Sequence, residues 1–516
     1  MPAPRLSPRF KLSSPVLPIA LCVAAVAGLT VLRAIFAVTI ELRVDEAYYW
    51  TWSKENVASF LDHPPLIAWF VRLGTALFGD TNLGVRFPGL LAMLVMQALL
   101  ADIVWRVVRD WRYVVAVVLM TEAAPHYGLM MAKIAPDSAL IPFELLMILA
   151  LVRLTQSGDQ RWWIAAGLAG GLALSAKYTA VLLVPAILAF VLVPNWRKRQ
   201  LSSPYLWIAA ALALSVFSPV LYWNAAHDWA SFKFQLDRPP QTAGWSARFL
   251  LDFIGQQFAM VGVLLLPIVL VGVSMLGVRG YRNRDPVPIL LSTAVIFPLL
   301  FFLQRSLSAR VGDSWPLLVW PIGFACVAIN LKQWRQESPH SRVAHDGPAF
   351  LAFTIALGIA VVIAAHLYYL TGSANYLGKN DPIGKEAHFG EVVAAAEKTR
   401  KETGARWFVT SDYRMYAMLR WHLGDAVPVV QINERSRYIG LRIPVLDGPV
   451  GLYVAPKDNP RAGVWRETGA TLQLVGQADL AWRGIVYDVY SFQKVAGWQP
   501  VFLLPSDHPL QEARPN

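Results

Sequence analysis

The segment that follows the first long apolar run carries side chains able to take part in chemistry. Between Val44 and Leu66 the chain places Asp45, Glu46 and His63 together with five aromatic residues. A carboxylate can act as a general base, and histidine can transfer protons. Acidic groups beside so many aromatic rings are unusual for a connection in so apolar a chain. The segment is therefore the first candidate for a functional site.

Other ionisable or polar residues lie in later connections between apolar runs. The candidates for catalysis or substrate binding are, in chain order, Arg86, Lys133, Asp137, Lys177, Tyr178, Arg238 and Arg310. An ionisable group at the end of a membrane helix is costly unless it is solvated or paired, so such groups commonly mark functional cavities. The sequence predicts that these side chains gather on one side of a membrane.

Structural roles are alternatives for several of these residues. Asp45 and Asp137 could each cap a helix, since a carboxylate accepts backbone N–H groups and complements the positive helix end. The sequence DHPP that begins at Asp62 could be only a helix start, because proline suits the first turn. The aromatic run between Tyr48 and Trp52 is most simply an interfacial belt. These alternatives remain open at this point.

The sequence offers no motif for a metal, a nucleotide or a disulfide. The spacing of the acidic residues and His63 matches no metal-ligand pattern, so we expect no metal site. Gly167, Gly170 and Gly171 lie in an apolar run and predict close helix packing, not a phosphate-binding loop. No nucleotide-binding or nucleophile-elbow motif appears.

The elements that must position these residues are membrane helices. Of the 516 residues 56% are hydrophobic and 16% are charged, and the mean hydropathy is +0.43, whereas soluble domains are about a quarter charged. Eleven membrane spans are predicted, at Val16–Val38, Phe87–Val104, Val114–Met131, Ser138–Val152, Trp162–Ser175, Tyr178–Val193, Pro204–Tyr222, Phe258–Val278, Val287–Leu303, Trp315–Leu331 and Phe350–Leu370. Several are shorter than the roughly 20 residues that a perpendicular helix needs.

The distribution of the net charge of +12 supports this arrangement. Alternate connections are rich in basic residues, as in Arg106–Arg112, Arg197–Arg199 and Arg279–Arg284. By the positive-inside rule these connections are cytoplasmic, which places the N-terminus inside and the C-terminus outside. The basic residues therefore indicate orientation against an anionic leaflet, and no nucleic-acid partner is expected.

The composition changes after Leu370. Helices are predicted at Phe389–Thr403 and Tyr413–His422, and strands at Arg406–Thr410, Val427–Ile432, Leu472–Val475 and Ile485–Phe492. We therefore expect a transmembrane domain over residues 1–371 and an extracytoplasmic α/β domain over residues 372–516.

The motifs of the first connection resemble those of a known family. They are DEAYYW beginning at Asp45, DHPPL beginning at Asp62 and LFGDTNLGVRFP beginning at Leu77. They resemble the bacterial branch of the protein O-mannosyltransferases, glycosyltransferase family 39, whose relatives include the aminoarabinose and galacturonic acid transferases of lipid A and lipopolysaccharide core. The similarity covers most of the membrane part, and the combination of motifs is fairly specific.

This resemblance implies a polytopic α-helical membrane protein with the GT-C fold. It implies inverting, metal-independent transfer of a hexose or pentose from a polyprenyl-phosphate carrier, with no other cofactor. It also implies that Asp45 is essential, while Asp137 matches the position of a second acidic motif. If the acceptor is a hydroxyl group, Asp45 would be the general base. If the acceptor is a phosphate, Asp45 would orient it or stabilise the developing positive charge.

A lipid phosphate leaving group needs cations close to its oxygens. The first candidates are Lys177, Arg238 and Arg310, with Arg86 and Lys133 behind them. Glu46, His63 and Tyr178 are further candidates for substrate contact.

The expected location is the bacterial inner membrane, with the polyprenyl-phosphate sugar and membrane lipids as partners. The expected acceptor is lipid A, lipopolysaccharide core or another envelope glycolipid, and transfer to protein is the alternative within the enzyme class. A transporter or flippase of lipid-linked sugars is the alternative outside that class. It predicts charges near the bilayer midplane and a two-fold repeat, and the sequence indicates neither.

Overall fold

The structure is a computed structural model that describes residues 15–236, 244–372, 375–432, 435–441, 444–458 and 470–497. The helices up to the end of the membrane part are α1 (Val16–Thr39), α2 (Val44–Ser53), α3 (Leu66–Phe78), α4 (Asn82–Val108), α5 (Trp111–Ala123), α6 (Pro136–Ser157), α7 (Trp162–Ala176), α8 (Val184–Val191), α9 (Arg197–Leu201), α10 (Pro204–Ala226), α11 (Ala230–Leu236), α12 (Ala247–Val261), α13 (Leu265–Asn283), α14 (Pro286–Ser306), α15 (Val319–Glu337) and α16 (Arg342–Thr371). Then follow α17 (Pro382–Glu386), α18 (Gly390–Glu402), β1 (Trp407–Thr410), α19 (Tyr413–Leu423), β2 (Val429–Gln431), β3 (Val450–Pro456), β4 (Thr471–Trp482) and β5 (Ile485–Ala496).

The chain is a multi-pass membrane protein. Within the part that the structure describes, seven helices are long and apolar enough to cross a bilayer: α1, α4, α6, α10, α13, α14 and α16. The other four predicted spans fall in α5, α7, α8 and α15, which do not meet that criterion. Helix α8 is preceded by a 3-10 segment, Tyr178–Leu183, so the chain is bent, not continuous, around Lys177.

Small residues allow two membrane helices to approach closely, as predicted. A Cβ atom on Gly167 would lie 2.4 Å from the carbonyl oxygen of Ala209, and one on Gly171 would lie 2.8 Å from that of Ala213. Helices α7 and α10 therefore touch backbone to backbone at these two positions. Gly170 is different, because it faces only the Sδ atom of Met147.

The membrane part also contains a buried pair of ionisable residues that was not predicted. Arg33 of α1 forms an ion pair with Glu122 of α5, and both side chains are at most 1% exposed. Gln97 of α4 donates to Glu122 at 2.7 Å, and Arg33 donates to Thr30 at 3.1 Å. Each charge is tolerated because it is paired and hydrogen-bonded.

The C-terminal part forms a five-stranded mixed sheet in the order β2-β1-β3-β5-β4. Strand β1 is parallel to β2 and β3, whereas β5 is antiparallel to both β3 and β4. The four predicted strands and both predicted helices are present. Strand β3 was not predicted, although it is the central strand and four of its seven residues are apolar and buried.

The first connection and the sheet domain share one hydrophobic core. Tyr48 packs edge-to-face on Tyr413 at 5.5 Å between ring centroids, and Trp50 packs on Trp421 at 5.2 Å. Trp52 stacks on Phe60 within the connection itself. The aromatic run is thus buried in protein, at most 7% exposed, and its interpretation as an interfacial belt was wrong. The sheet domain instead covers these rings and lies directly over α2.

Candidate active site

Helix α2 gives its two acidic residues opposite environments. The helix begins after Arg43, whose extended backbone forms the N-cap, and Asp45 and Glu46 lie in the first turn. Glu46 accepts the backbone N–H of Arg43 at 3.0 Å, whereas Asp45 is exposed. Asp45 is therefore not the N-cap that one alternative proposed. Its carboxylate is left accessible because its neighbour performs the capping role.

Glu46 and Arg86 form a buried ion pair. The guanidinium of Arg86 donates to both carboxylate oxygens, at 2.8 and 2.7 Å, and each side chain is 1% exposed. Glu46 also accepts the backbone N–H of Ile134 at 3.0 Å. Burial would raise the pKa of Glu46, but the charge and hydrogen bonds of Arg86 lower it overall. Both side chains are buried, and the pair joins α2 to α4.

Asp137 and Lys177 form a second buried ion pair. Pro136 is the first residue of α6, so Asp137 lies in the first turn and is not the N-cap, which is Ala135. The ammonium group of Lys177 donates to the Asp137 carboxylate at 2.8 and 3.0 Å and to the carbonyl oxygen of Ser314 at 3.2 Å. Both side chains are at most 6% exposed. The pair joins three of the connections that were expected to lie on one side.

The accessible carboxylate of Asp45 lies within a cluster of charges. Arg43 forms an ion pair with Glu386 at the end of α17, and the hydroxyl of Tyr413 lies 3.5 Å from Asp45. Desolvation by the surrounding protein groups raises the pKa of the Asp45 carboxyl, and the charge of Glu386 raises it further. Arg43 and Lys133 act in the opposite direction.

Lys133 is a second cation whose charge acts on Asp45. Its side chain is half-buried in the connection before α6. Burial lowers the pKa of this ammonium group, and repulsion from Arg43 adds to the effect, while Asp313, Glu386 and Asp45 oppose it. Cations and carboxylates from three separate segments thus meet around one accessible aspartate.

The other end of the first connection is attached to the sheet domain. Asp62 accepts hydrogen bonds from the hydroxyl of Tyr48, at 3.0 Å, and from the guanidinium of Arg437. Gln235 of α11 donates to the backbone oxygen of Asp62 at 2.8 Å. The alternative that treated DHPP as only a helix start is partly right, because α3 begins at Leu66 immediately after Pro65. Asp62 has the additional role of fixing the sheet domain.

The remaining predicted residues are more widely spread. His63 is half-buried, with its ring 6.2 Å from that of Tyr49, and Tyr178 is half-buried with its ring 5.6 Å from that of Phe232. Arg310 is exposed in the connection between α14 and α15. Arg238 lies outside the described residues.

Several residues of the site were not predicted from the sequence. Arg43 precedes Asp45 by two positions, and this proximity was an available signal. Glu386, Tyr413 and Arg437 come from the sheet domain and belong to no recognisable motif. Only the fold brings them to the first connection. Within the described ranges no group of three or more metal-binding side chains occurs.

The fold and the sequence both make this chain similar to membrane glycosyltransferases of the GT-C type. Residues 62–223 match the family model described as dolichyl-phosphate-mannose-protein mannosyltransferase. The chain is similar to the lipid A galacturonosyltransferase RgtD of Rhizobium johnstonii, with 28% identity over 399 residues that cover 74% of this chain and 78% of that protein.

Solved structures share the fold at low sequence identity. ArnT from Cupriavidus metallidurans bound to undecaprenyl phosphate matches with a TM-score of 0.61 and 13% identity, covering 94% of this chain and 99% of that one. The oligosaccharyltransferase of Archaeoglobus fulgidus, tethered to an acceptor peptide, matches with a TM-score of 0.52 and 12% identity, covering 82% of this chain and 64% of that one. The expected GT-C architecture is confirmed.

Proposed function

We propose that this glycosyltransferase moves a sugar from a polyprenyl-phosphate carrier to lipid A or a closely related glycolipid. The similarity to a lipid A galacturonosyltransferase supports the acceptor and favours galacturonic acid as the sugar. The same fold holds undecaprenyl phosphate in ArnT, which supports the carrier. Transfer to a protein hydroxyl is the second candidate, because the matching family model describes protein mannosyltransferases.

The observation that carries this proposal is the environment of Asp45. Its carboxylate is accessible, whereas the neighbouring acidic residues Glu46 and Asp137 are buried and paired. Arg43 and Lys133 lie close enough to influence its charge. An accessible carboxylate beside two cations is the combination that sugar transfer from a phosphate requires, because a proton must be removed and an anion must leave.

In the proposed reaction the acceptor hydroxyl oxygen attacks the anomeric carbon of the sugar. The bond from this carbon to the phosphate oxygen breaks with inversion, and its electron pair leaves with the polyprenyl phosphate. Asp45 receives the proton of the hydroxyl group, and its raised pKa makes it a stronger base than an ordinary aspartate. Lys133 and Arg43 offset the charge of the departing phosphate. If the acceptor is a phosphate of lipid A, Asp45 orients it instead.

The reaction is proposed to need no metal ion or other cofactor, because Arg43 and Lys133 supply the positive charge that a divalent ion would provide. Retention of activity after removal of divalent cations by a chelator is the expected result. The site is proposed to lie on the extracytoplasmic side of the inner membrane, where a reporter fused after Thr371 should also be found.

The decisive experiment compares lipid A from cells that lack the protein with lipid A from cells that carry the wild type or the Asp45→Asn variant. Mass spectrometry should detect the added sugar only with the wild type. In membranes the variant should transfer sugar about 10²–10⁴-fold more slowly, the usual contribution of a general base.

The matched control is Asp479→Asn, which changes an exposed aspartate of the sheet domain. It should transfer sugar at the wild-type rate. Full activity of Asp45→Asn at an unchanged protein level would overturn the assigned role. Unmodified lipid A together with newly glycosylated protein would overturn the acceptor and support the second candidate.

A further inference from the structure

Helices α1, α4 and α5 line an open apolar cavity far from Asp45. Its volume is about 1020 Å³, and it is lined by Val23 and Ala27 of α1, Leu94, Ala98 and Ala101 of α4, and Val115 of α5, among others. Along α4 the lining runs from Leu94 to Trp105, which is about 17 Å at about 1.5 Å per residue. One leaflet contributes roughly half of the hydrocarbon core of about 30 Å. The cavity is therefore one leaflet deep.

A polar network closes the end of this cavity that is farthest from Pro15. Thr30 and Gln97 line it, and both belong to the network around the buried pair Arg33–Glu122. An acyl chain cannot continue through these charged groups, because they are already satisfied by each other and fully buried. The acyl chains of a ligand in this cavity must therefore end at the network.

The open end of the cavity, on the side of Pro15, is basic. Trp105 and Trp111 line the opening, and the guanidinium of Arg109 lies 5.8 Å from the first ring while that of Arg112 lies 5.7 Å from the second. Both arginines are exposed. In the described part of the chain no carboxylate forms a salt bridge with either of them.

Neighbouring carboxylates do not cancel this positive charge. Asp102 at the opening is paired with Arg106 and Arg153, and Asp110 is paired with Lys332. The acidic groups near the opening are thus neutralised within the protein. The net effect is a positive rim above an apolar cavity.

We propose that this cavity binds one anionic phospholipid from the leaflet on the side of the N-terminus. Its acyl chains fill the space between α1, α4 and α5, and its phosphate lies between Arg109 and Arg112. Tryptophan and arginine at the opening match the apolar-to-anionic boundary of such a lipid. A zwitterionic lipid would bring its own cation close to the two arginines.

This site is separate from that of the sugar carrier. Helix α4 carries both Arg86, which contacts α2, and Trp105, which lines the cavity. These two residues are 19 positions apart, so they are separated by about 28 Å along the helix axis. A phosphate bound at the rim therefore cannot reach Asp45. Lipid binding here should support the packing of α1 against α4 and α5 without taking part in the transfer.

The test uses the full-length protein purified in detergent and stripped of lipid, with native mass spectrometry to count bound lipids. Phosphatidylglycerol should bind at least about tenfold more tightly than phosphatidylcholine with the same acyl chains. The Arg109→Gln/Arg112→Gln variant should lose this preference, because charged hydrogen bonds to phosphate are removed. Ala98→Trp should reduce binding of both lipids, since Ala98 is exposed in the cavity and the larger side chain fills it.

The matched control is Arg197→Gln/Lys198→Gln, which removes two exposed cations from a different connection and should leave the preference unchanged. Equal binding of the two lipids, or equal effects of the two double variants, would overturn the proposal. Displacement of phosphatidylglycerol by an equimolar amount of polyprenyl phosphate would also overturn it, because the cavity would then belong to the sugar carrier.

Discussion

Replacing Arg86 by methionine should destabilise the protein by about 3–5 kcal/mol, the usual cost of leaving one member of a buried ion pair without its partner. Arg86 donates to Glu46 twice and to the backbone oxygens of Ala37, Ile40 and Glu41 at 2.6–3.0 Å. Methionine preserves much of the apolar volume but can donate none of these five hydrogen bonds. The carboxylate of Glu46 would remain buried with only backbone N–H partners.

The loss corresponds to a rise of roughly 10²–10⁴-fold in the unfolding equilibrium constant, since about 1.4 kcal/mol is a factor of ten. Unfolding by SDS in mixed micelles, followed by tryptophan fluorescence, measures it. Adding Glu46→Gln to the variant removes the unpaired charge, so the double variant should recover about 0.5–3 kcal/mol as a coupling energy.

Two results would refute this reasoning. A cost below about 1 kcal/mol for Arg86→Met would mean that the pair does not hold the first connection in place. Strictly additive effects of the two substitutions would mean that Glu46 and Arg86 do not depend on each other. A variant with unchanged stability but a higher KM would instead support the sequence-based prediction that these residues bind substrate.

Three further outcomes follow from the site. Glu386→Gln should move the acidic limb of the pH–rate profile to lower pH, because the Glu386 charge raises the pKa of Asp45 and activity requires the ionised carboxylate. Lys177→Met should cost about 3–5 kcal/mol in the same unfolding assay, because Asp137 would be left buried and unpaired. Tyr413→Phe should change kcat/KM by no more than about threefold, since a hydroxyl 3.5 Å from Asp45 makes at best a weak hydrogen bond.

Each outcome has its own contrary result. Glu402→Gln changes an exposed carboxylate on α18 and should leave the pH profile in place. An unmoved or upward-shifted limb in Glu386→Gln would show that Asp45 is not the titrating group. If Lys177→Met has normal stability but no longer binds the donor, the result would support the sequence-based prediction that Lys177 binds the donor phosphate. A large loss in Tyr413→Phe would mean that this hydroxyl contacts the substrate.

The local features of the chain were predictable because they depend on neighbouring residues. Apolar runs predict membrane helices wherever they occur, and each of the eleven predicted spans overlaps a helix. The bounds are less exact, because Phe258–Val278 crosses the break between α12 and α13. The alternating basic connections predicted which ends face the same side. The backbone N–H of Ile134 donates to Glu46. Lys177 donates both to Asp137 and to the carbonyl oxygen of Ser314, so these connections do lie together. Strand β3 was missed because a short buried strand lacks a polar–apolar alternation.

The partners of each polar residue were not predictable in this way. Glu46 and Asp45 are adjacent acidic residues in the sequence, yet one is buried against Arg86 and the other is accessible. The sequence does not contain this difference, because it depends on which side of α2 faces α4. The aromatic run was misinterpreted for the same reason, since only the position of the sheet domain decides whether those rings meet lipid or protein.

The sequence by itself therefore determined a membrane-embedded helical domain, an α/β domain after it and a first connection rich in acidic and aromatic residues. Hydropathy, charge distribution and short motifs encode these features locally. Only the tertiary structure decided that Glu386 lies beside Arg43 and Asp45, because Glu386 and Arg43 are 343 residues apart in the chain. Contacts of that kind arise from packing between distant segments, and packing depends on shape and burial over the whole fold.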